Sequence, residues 1–197
     1  MDLMSRTYSY MLPLGTKAPD FKLTNTVDGK IVSLDKSKGQ KGTLIIFMCN
    51  HCPYVLHLLD KIVEISFEIK NLGVNTVAIS SNDINNYPED RPELMKKLAL
   101  DRGFGFPYLY DENQSVALSY EAACTPDFYL FNSELNLVYR GKFDDARPKN
   151  DEPVNGKDIL TATKNLVMGF PHIEDQIPSI GCNIKWKKGN EPSGFFI

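Results

Sequence analysis

The chain has 197 residues, of which 42% are hydrophobic and 24% are charged, with a formal net charge of −3. This predicts one well-filled globular domain with modest extensions, and the scattered Lys and Arg residues give no basic surface for nucleic acid. No apolar run reaches membrane-span length and no secretory signal precedes Gly15, so we expect a cytoplasmic protein with no membrane partner.

The chain alternates short apolar segments with polar turns. In chain order the predicted elements are a loose arm at 1–14, strands at 21–23, 31–34 and 44–48, a helix from Pro53 to about Gly73, a strand at 74–79, a helix at 93–101, a strand at 108–110, a short helix at 115–122, a hairpin of strands 128–131 and 137–139, a helix at 156–168 and an irregular tail at 170–197. Asp28-Gly29 is a turn signal between the first two strands. The continuous apolar run 44–48 is typical of a strand buried on both faces.

Strands that alternate with helices and end in a hairpin and a helix predict an α/β domain with a mixed central sheet. No internal repeat or break in composition marks a second domain. We therefore expect an N-terminal arm (1–14), one domain (15–169) and a C-terminal extension packed on it (170–197).

The run Cys49-Asn50-His51-Cys52 carries the chemistry. Cys49 ends the buried strand, and Cys52 lies in the first turn of the helix opened by Pro53, so both sulfurs fall on one side of that turn, close enough to form a disulfide. The free N–H groups of the helix start favour a thiolate, as does a protonated His51. We expect Cys49 to be the exposed nucleophile with a lowered pKa.

A zinc half-site is the alternative, because Cys-x-x-Cys is also a zinc spacing. Cys124 and Cys182 are single, and His57 and His172 have no partner at a usual ligand spacing. The motif also begins a helix, which favours a redox pair over zinc. We predict no metal and no cofactor.

A family resemblance rests on several motifs. The run Gly15-x-x-Ala18-Pro19-Asp20-Phe21-x-Leu23 resembles the opening of the peroxiredoxin superfamily, which comprises alkyl hydroperoxide reductase and thiol-specific antioxidant proteins. The likeness covers about residues 15–169 and implies a thioredoxin-like fold. A narrower resemblance is to a peroxiredoxin-like branch with a Cys-x-x-Cys motif, carried by Cys-Asn-His-Cys-Pro-Tyr, Ser81-Asn82-Asp83, Tyr87-Pro88-Glu89-Asp90 and Gly181-Cys182-Asn183-Ile184-Lys185-Trp186.

The resemblance also implies roles. Thr125-Pro126 is similar to the cis-proline segment that faces the active site in thioredoxin folds, so we expect a cis peptide there. Cys52 takes the peroxidatic position of a peroxiredoxin, and Cys49 stands where that family has Thr. Ile45 stands where it has Pro, and Thr125-Pro126-Asp127 lacks its Arg. Without that Thr and Arg, little remains to polarise a peroxide bond.

The sequence therefore predicts a thiol-disulfide oxidoreductase with Cys49, Cys52 and His51 as catalytic residues. Its partners would be a protein or small-molecule disulfide and a thiol reductant. A peroxidase using Cys52, a metal-binding or copper-delivery protein using the two cysteines and a distant His, and a binding module whose cysteines merely close the turn remain alternatives. The residues expected to contact substrate are Asn50, Tyr54, Thr125 and Pro126. Cys124 and Cys182 are expected to be buried inert thiols, with an accessory redox role as the alternative.

Overall fold

The computed structural model describes residues 6–192. Residues 1–5 of the predicted arm and 193–197 of the predicted tail lie outside this range. In chain order the elements are β1 (Arg6–Tyr8), β2 (Lys22–Asn25), β3 (Ile31–Ser33), α1 (Leu34–Ser37), β4 (Gly42–Phe47), α2 (Pro53–Asn71), β5 (Val74–Ser80), a 3-10 turn (Pro88–Asp90), α3 (Pro92–Asp101), β6 (Tyr108–Tyr110), α4 (Ser115–Ser119), β7 (Cys124–Thr125), β8 (Asp127–Asn132), β9 (Leu137–Arg140), α5 (Lys157–Met168) and β10 (Ile180–Asn183).

A seven-stranded mixed sheet runs in the order β3-β2-β6-β5-β4-β8-β9. β4, β5 and β6 are parallel neighbours, and β8 and β9 add to them as an antiparallel hairpin. β2 and β3 form the predicted N-terminal hairpin, with Gly29 at φ +73° in the turn between them. The predicted mixed α/β sheet is confirmed.

The central strand β4 is buried on both faces, as its continuous apolar run predicts. Leu44 and Ile46 pack in the core layer shared with α2 and α5. Ile45 and Phe47 point into the opposite layer, which contains Tyr129. Every residue of β4 is buried, so the end of this strand is fixed within the protein and provides a rigid starting point for the residues that follow.

Local signals at both ends define α2. Cys52 is the N-cap residue, Pro53 occupies the first helical position, where a missing N–H costs nothing, and Gly73 follows the helix with φ +85°. The buried face includes Leu59 and Ile62, and burying each such side chain contributes about 1.5–3 kcal/mol. Packing on this face therefore holds α2 against the sheet.

A second, three-stranded sheet in the order β1-β10-β7 was not predicted. Thr7 lies opposite Gly181, and Cys182 lies opposite Thr125, in antiparallel pairings. The segments expected to be a loose arm and an irregular tail thus each contain a strand. These strands have two to four residues, too few for an alternating pattern. Among the described residues, no helix combines the length and apolar character needed to cross a membrane.

Candidate functional site

The two cysteines of the motif occupy the junction between β4 and α2. Cys49 follows the last residue of the strand by two positions, and Cys52 caps the helix without a side-chain capping hydrogen bond. N–H groups of the first helical turn therefore remain available to a negative charge at the helix start. This is the placement predicted from the sequence.

Both sulfurs are closed off from solvent. Cys49 is 1% exposed and Cys52 is 0% exposed, so the prediction of an exposed Cys49 is wrong. Part of the cover comes from Thr125, whose Oγ1 lies 3.5 Å from Cys49 Sγ. The Thr125 carbonyl oxygen lies 3.0 Å from Cys52 Sγ, where a protonated Cys52 donates to it.

The Thr125–Pro126 peptide is cis, as predicted. Its position follows from the strand register, because β8 pairs antiparallel with β4 and Asp127 lies opposite Phe47. Residues that come just before Asp127 therefore lie beside residues that come just after Phe47. The register brings Thr125 and Pro126 to the cysteine motif.

A third thiol lies against Cys52. Cys182 Sγ, in β10, is 2.9 Å from Cys52 Sγ, although 130 positions separate the two residues in the chain. Cys124 is also fully buried, but its sulfur donates to the Pro126 carbonyl at 3.6 Å, and burial raises the pKa of this thiol well above its ordinary value. Cys182 therefore joins the site by contact, whereas Cys124 has the properties of an inert buried thiol.

The thiols of this cluster ionise unequally. Burial raises the pKa of Cys49 well above its ordinary value, and the contact with Cys52 and the charge of Asp90 act in the same direction. Burial also opposes ionisation of Cys52, but the contacts from Cys182 and Cys49 and the helix N–H of Val55 outweigh it and lower the Cys52 pKa. The thiol with the lowered pKa is thus Cys52, and not Cys49 as predicted, chiefly because its contacts with Cys182 and Cys49 favour the thiolate.

His51 is held between a carboxylate and an aromatic ring. Its Nδ1 lies 2.8 Å from Asp90 Oδ2 as an ion pair without the alignment of a hydrogen bond. Its ring stacks on Tyr87 with centroids 5.6 Å apart. The contact with Asp90 raises the pKa of His51 above 6.5, although burial opposes it. Asp90 therefore favours the cationic form of the imidazole beside the cysteines.

Asp90 is a site residue that the sequence reasoning missed. Its side chain is fully buried, and Oδ1 accepts the Asn50 backbone N–H at 2.7 Å while Oδ2 accepts from Asn82 Nδ2 at 2.8 Å. Asp90 thus fixes both His51 and the backbone between the two cysteines. The sequence does contain a signal for Asp90, which ends the Tyr87-Pro88-Glu89-Asp90 run that contributes to the family resemblance. The resemblance assigned no role to that run.

Both the nitrogen and the oxygen of the Asn50 side-chain amide form hydrogen bonds within the protein. Its Nδ2 donates to the Glu89 carbonyl at 2.8 Å, and its Oδ1 accepts from the Tyr108 hydroxyl at 3.1 Å. These bonds fix Asn50 to the turn that carries Asp90 and to β6.

Tyr54 lies in the first turn of α2 and is half-buried. It lines a surface groove of about 390 Å³ together with Tyr8 and the cationic residues Arg6, Arg147 and Lys149. A small adjoining cavity is lined by Pro126 as well as Tyr54 and Arg147. A groove with a cationic rim therefore begins beside the cis-proline.

One group among the described residues has the spacing of a metal site. Cys49, His51 and Asp90 each offer a ligand atom, and these atoms lie within 4.8 Å of one another. Thiolate, imidazole and carboxylate are zinc ligands, but here His51 and Asp90 already pair with each other. A metal alternative would use the adjacent His51 rather than the distant His that the sequence suggested.

Replacing His51 by alanine is expected to make the cysteine pair more reducing, because the thiolate loses a cationic neighbour while the Asp90 carboxylate remains. The reduction potential should fall by about 20 mV or more, which corresponds to ~1 kcal/mol in a two-electron couple. Since the pKa of His51 is raised, the difference from the wild type should be largest at acidic pH and shrink as the pH rises through that pKa. Equilibration with glutathione buffers measures it.

The exposed His57, also in α2, provides the matched control, and His57→Ala should leave the potential unchanged. Equal reduction potentials for the His51→Ala variant and the wild type at every pH would show that His51 has no influence on the cysteine pair.

The described geometry defines a thioredoxin-fold protein with paired thiols at the start of a helix. The sequence profile of the AhpC/TSA family matches residues 14–140. That range includes the cysteine motif and more than half of the chain, so the protein belongs to the AhpC/TSA family. The predicted thioredoxin-like, peroxiredoxin-related fold is confirmed.

Several solved structures are similar to this chain. An uncharacterized conserved protein from Geobacillus kaustophilus is 52% identical, with a TM-score of 0.93 over 94% of this chain and 98% of that chain. A hypothetical protein from Sinorhizobium meliloti 1021 is 42% identical, with a TM-score of 0.90 over 93% and 100% of the two chains. The thioredoxin domain of a thiol-disulfide oxidoreductase from Bacteroides vulgatus shares the fold at 21% identity, with a TM-score of 0.57 over 76% and 99%. None of the curated proteins compared matches the chain.

Proposed function

We propose that the protein is a thiol-disulfide oxidoreductase whose redox-active pair is Cys49 and Cys52. The observation that carries this proposal is the contact between the thiols of Cys49 and Cys52 at the start of α2, where contacts with neighbouring thiols lower the pKa of Cys52. Membership of the AhpC/TSA family supports thiol redox chemistry in general. The preference for disulfide exchange rests on Cys49, which stands where a peroxiredoxin would have its Thr.

The unequal ionisation of the two thiols suggests how the reaction starts. Cys49 passes its proton to the Cys52 thiolate, and the resulting Cys49 thiolate attacks a substrate disulfide. A mixed disulfide forms on Cys49. The first substrate sulfur takes the proton held by Cys52 and leaves as a thiol, so Cys52 is again a thiolate. The Cys52 thiolate then attacks the Cys49 sulfur, which closes the Cys49–Cys52 disulfide and releases the second substrate thiolate. The substrate gains two electrons and the protein loses two.

The substrate would bind at the segment before β8. Thr125 and Pro126 would hold its backbone, and Tyr54 would contact it from the groove that begins beside the cis-proline. A protein disulfide or a small-molecule disulfide fits this arrangement. A thiol reductant, which we place in the cytoplasm, would return the Cys49–Cys52 disulfide to the dithiol.

A comparison of two rates tests this proposal. The reduced protein should reduce the disulfides of insulin with turnover when a dithiol reductant is present, and should consume hydrogen peroxide much more slowly. The Cys49→Ser variant should lose insulin reduction, while Cys124→Ser should keep it. Absence of turnover with insulin and with small disulfides such as oxidised glutathione would refute the proposal.

One observation favours a second candidate, a peroxidase that uses Cys52. Cys52 occupies the peroxidatic position and has the lowered pKa. Against this, Thr125 and Cys182 cover its sulfur, and Arg140 directs its guanidinium to Asp127 and the Glu121 carbonyl. Rapid peroxide consumption that Cys52→Ser alone abolishes would establish the peroxidase.

A further inference from the structure

Cys52 contacts two other thiols. Cys49 and Cys52 are close enough for each to shift the pKa of the other. Cys52 Sγ also lies 2.9 Å from Cys182 Sγ. A disulfide bond is about 2.05 Å long, so this second pair needs to close by about 0.9 Å. None of the three cysteines takes part in a disulfide bond in the described structure.

The neighbouring glycine makes this approach possible. A Cβ atom on Gly181 would lie 2.0 Å from the Thr125 carbonyl oxygen and 2.6 Å from its carbon. Only a residue without a side chain therefore allows β10 to run this close to β7. The close pairing of β10 with β7 sets Cys182 opposite Thr125, and Thr125 is the residue whose carbonyl contacts Cys52.

We propose that Cys182 is a third redox cysteine, and that Cys52 forms a disulfide with either Cys49 or Cys182. The inference rests on the proposed function, because exchange with the substrate supplies the disulfide. It adds a second oxidised form of the site, in which Cys49 is free again while Cys52 and Cys182 hold the disulfide.

The second form arises from the first by exchange within the protein. The Cys182 thiolate attacks the Cys52 sulfur of the Cys49–Cys52 disulfide, the Cys49–Cys52 bond breaks, and Cys49 leaves as a thiolate. The proton released by Cys182 passes to Cys49. One sulfur–sulfur bond is lost and one is formed, so the exchange needs no further oxidant or reductant.

The Cys49→Ser variant isolates the second pair. Treated with diamide, which takes up two electrons and two protons, the folded variant should form a Cys52–Cys182 disulfide. Tryptic digestion distinguishes the possible products, because Cys52, Cys124 and Cys182 fall in the separate peptides 42–61, 103–140 and 165–185. We expect a cross-link between 42–61 and 165–185 in a non-reducing digest quenched with acid.

Two double variants provide matched controls. Cys49→Ser/Cys124→Ser should keep the cross-link, whereas Cys49→Ser/Cys182→Ser should lose it. A folded Cys49→Ser variant that keeps its thiols under diamide, or that joins 42–61 to 103–140 instead, would overturn the proposal.

The wild-type protein gives a second measurement that does not depend on a variant. After oxidation by one equivalent of diamide, part of the protein should carry the same inter-peptide cross-link with Cys49 open to alkylation. Complete oxidation with every disulfide inside peptide 42–61 would contradict the inference.

These results separate the two proposals. The cross-link in Cys49→Ser without insulin reduction by the wild type would retain the Cys52–Cys182 pair and reject the oxidoreductase. Insulin reduction by the wild type without the cross-link would retain the oxidoreductase and reject the Cys52–Cys182 pair.

Discussion

Replacing Cys52 by serine is expected to lower the rate of disulfide reduction by at least about 100-fold, the loss typical of a group that moves protons in the rate-determining steps. In the proposed mechanism Cys52 first takes the proton of Cys49 and then attacks the mixed disulfide. Without it, the high pKa of Cys49 keeps that thiol protonated, and the few mixed disulfides that form are not resolved. Stopped-flow reduction of insulin measures the rate, and intact-mass analysis should detect substrate attached to Cys49.

Cys124→Ser is the matched control, because Cys124 is equally buried but contacts the Pro126 carbonyl rather than another thiol. It should reduce insulin at close to the wild-type rate. If Cys52→Ser also keeps that rate, the double variant Cys52→Ser/Cys182→Ser shows whether Cys182 has taken over. A double variant that still turns over would exclude Cys52 from the reaction.

Replacing Arg140 by alanine is expected to lower the free energy of unfolding by about 3–5 kcal/mol, the cost of breaking a buried ion pair. Arg140 and Asp127 are both 0% exposed, with Nη2 3.4 Å from Oδ2, and the guanidinium carbon lies 4.6 Å from the centre of the Tyr129 ring. Removing Arg140 leaves the Asp127 carboxyl buried without its cationic partner. Urea unfolding followed by circular dichroism measures the loss.

The loss should depend on pH. Burial raises the pKa of Asp127 to about 6 even though Arg140 opposes the rise. The folded state therefore binds more protons than the unfolded state above the ordinary carboxyl pKa of 3.8, and stability falls as the pH rises through this range. Without Arg140 the folded pKa rises further, so the deficit of the variant should be larger at neutral pH than below pH ~4.

A surface pair provides the control for this variant. Arg102 pairs with Asp60 at 2.6 Å, but their side chains are 45% and 80% exposed, so Arg102→Ala should cost only about 0–1 kcal/mol. Adding Asp127→Asn to Arg140→Ala should recover part of the stability at neutral pH. Equal losses for Arg140→Ala and Arg102→Ala would show that the buried pair contributes no more than a surface pair.

The parts of the fold that the sequence predicted are those with local signals. The apolar run of β4 and the start of α2 at Pro53 lie next to one another in the chain, so the Cys49–Cys52 motif could be placed on them directly. The cis peptide at Thr125–Pro126 was predicted from a family resemblance. In each case the information was contained in one short segment.

The rest of the site depends on pairings between distant segments. Cys182 reaches Cys52 because β10 pairs with β7, and neither strand is long enough to show a period. Asp90 reaches His51 from a turn that follows β5, and its contact cannot be read from spacing. The burial of Cys49, and with it the reversed order of the pKa values, follows from the same long-range packing.

The three-stranded sheet also governs when Cys52 can react. Thr125 of β7 and Cys182 of β10 cover its sulfur, so a reagent reaches it through transient separation of these strands. Its observed reaction rate is then the product of an opening equilibrium and the intrinsic reactivity of the open form, as in the exchange of protected amides. Because β10 is the shared neighbour of β1 and β7, its fraying would release both pairings at once. The access of substrates to Cys52 is in this way coupled to the local stability of a strand 130 positions away.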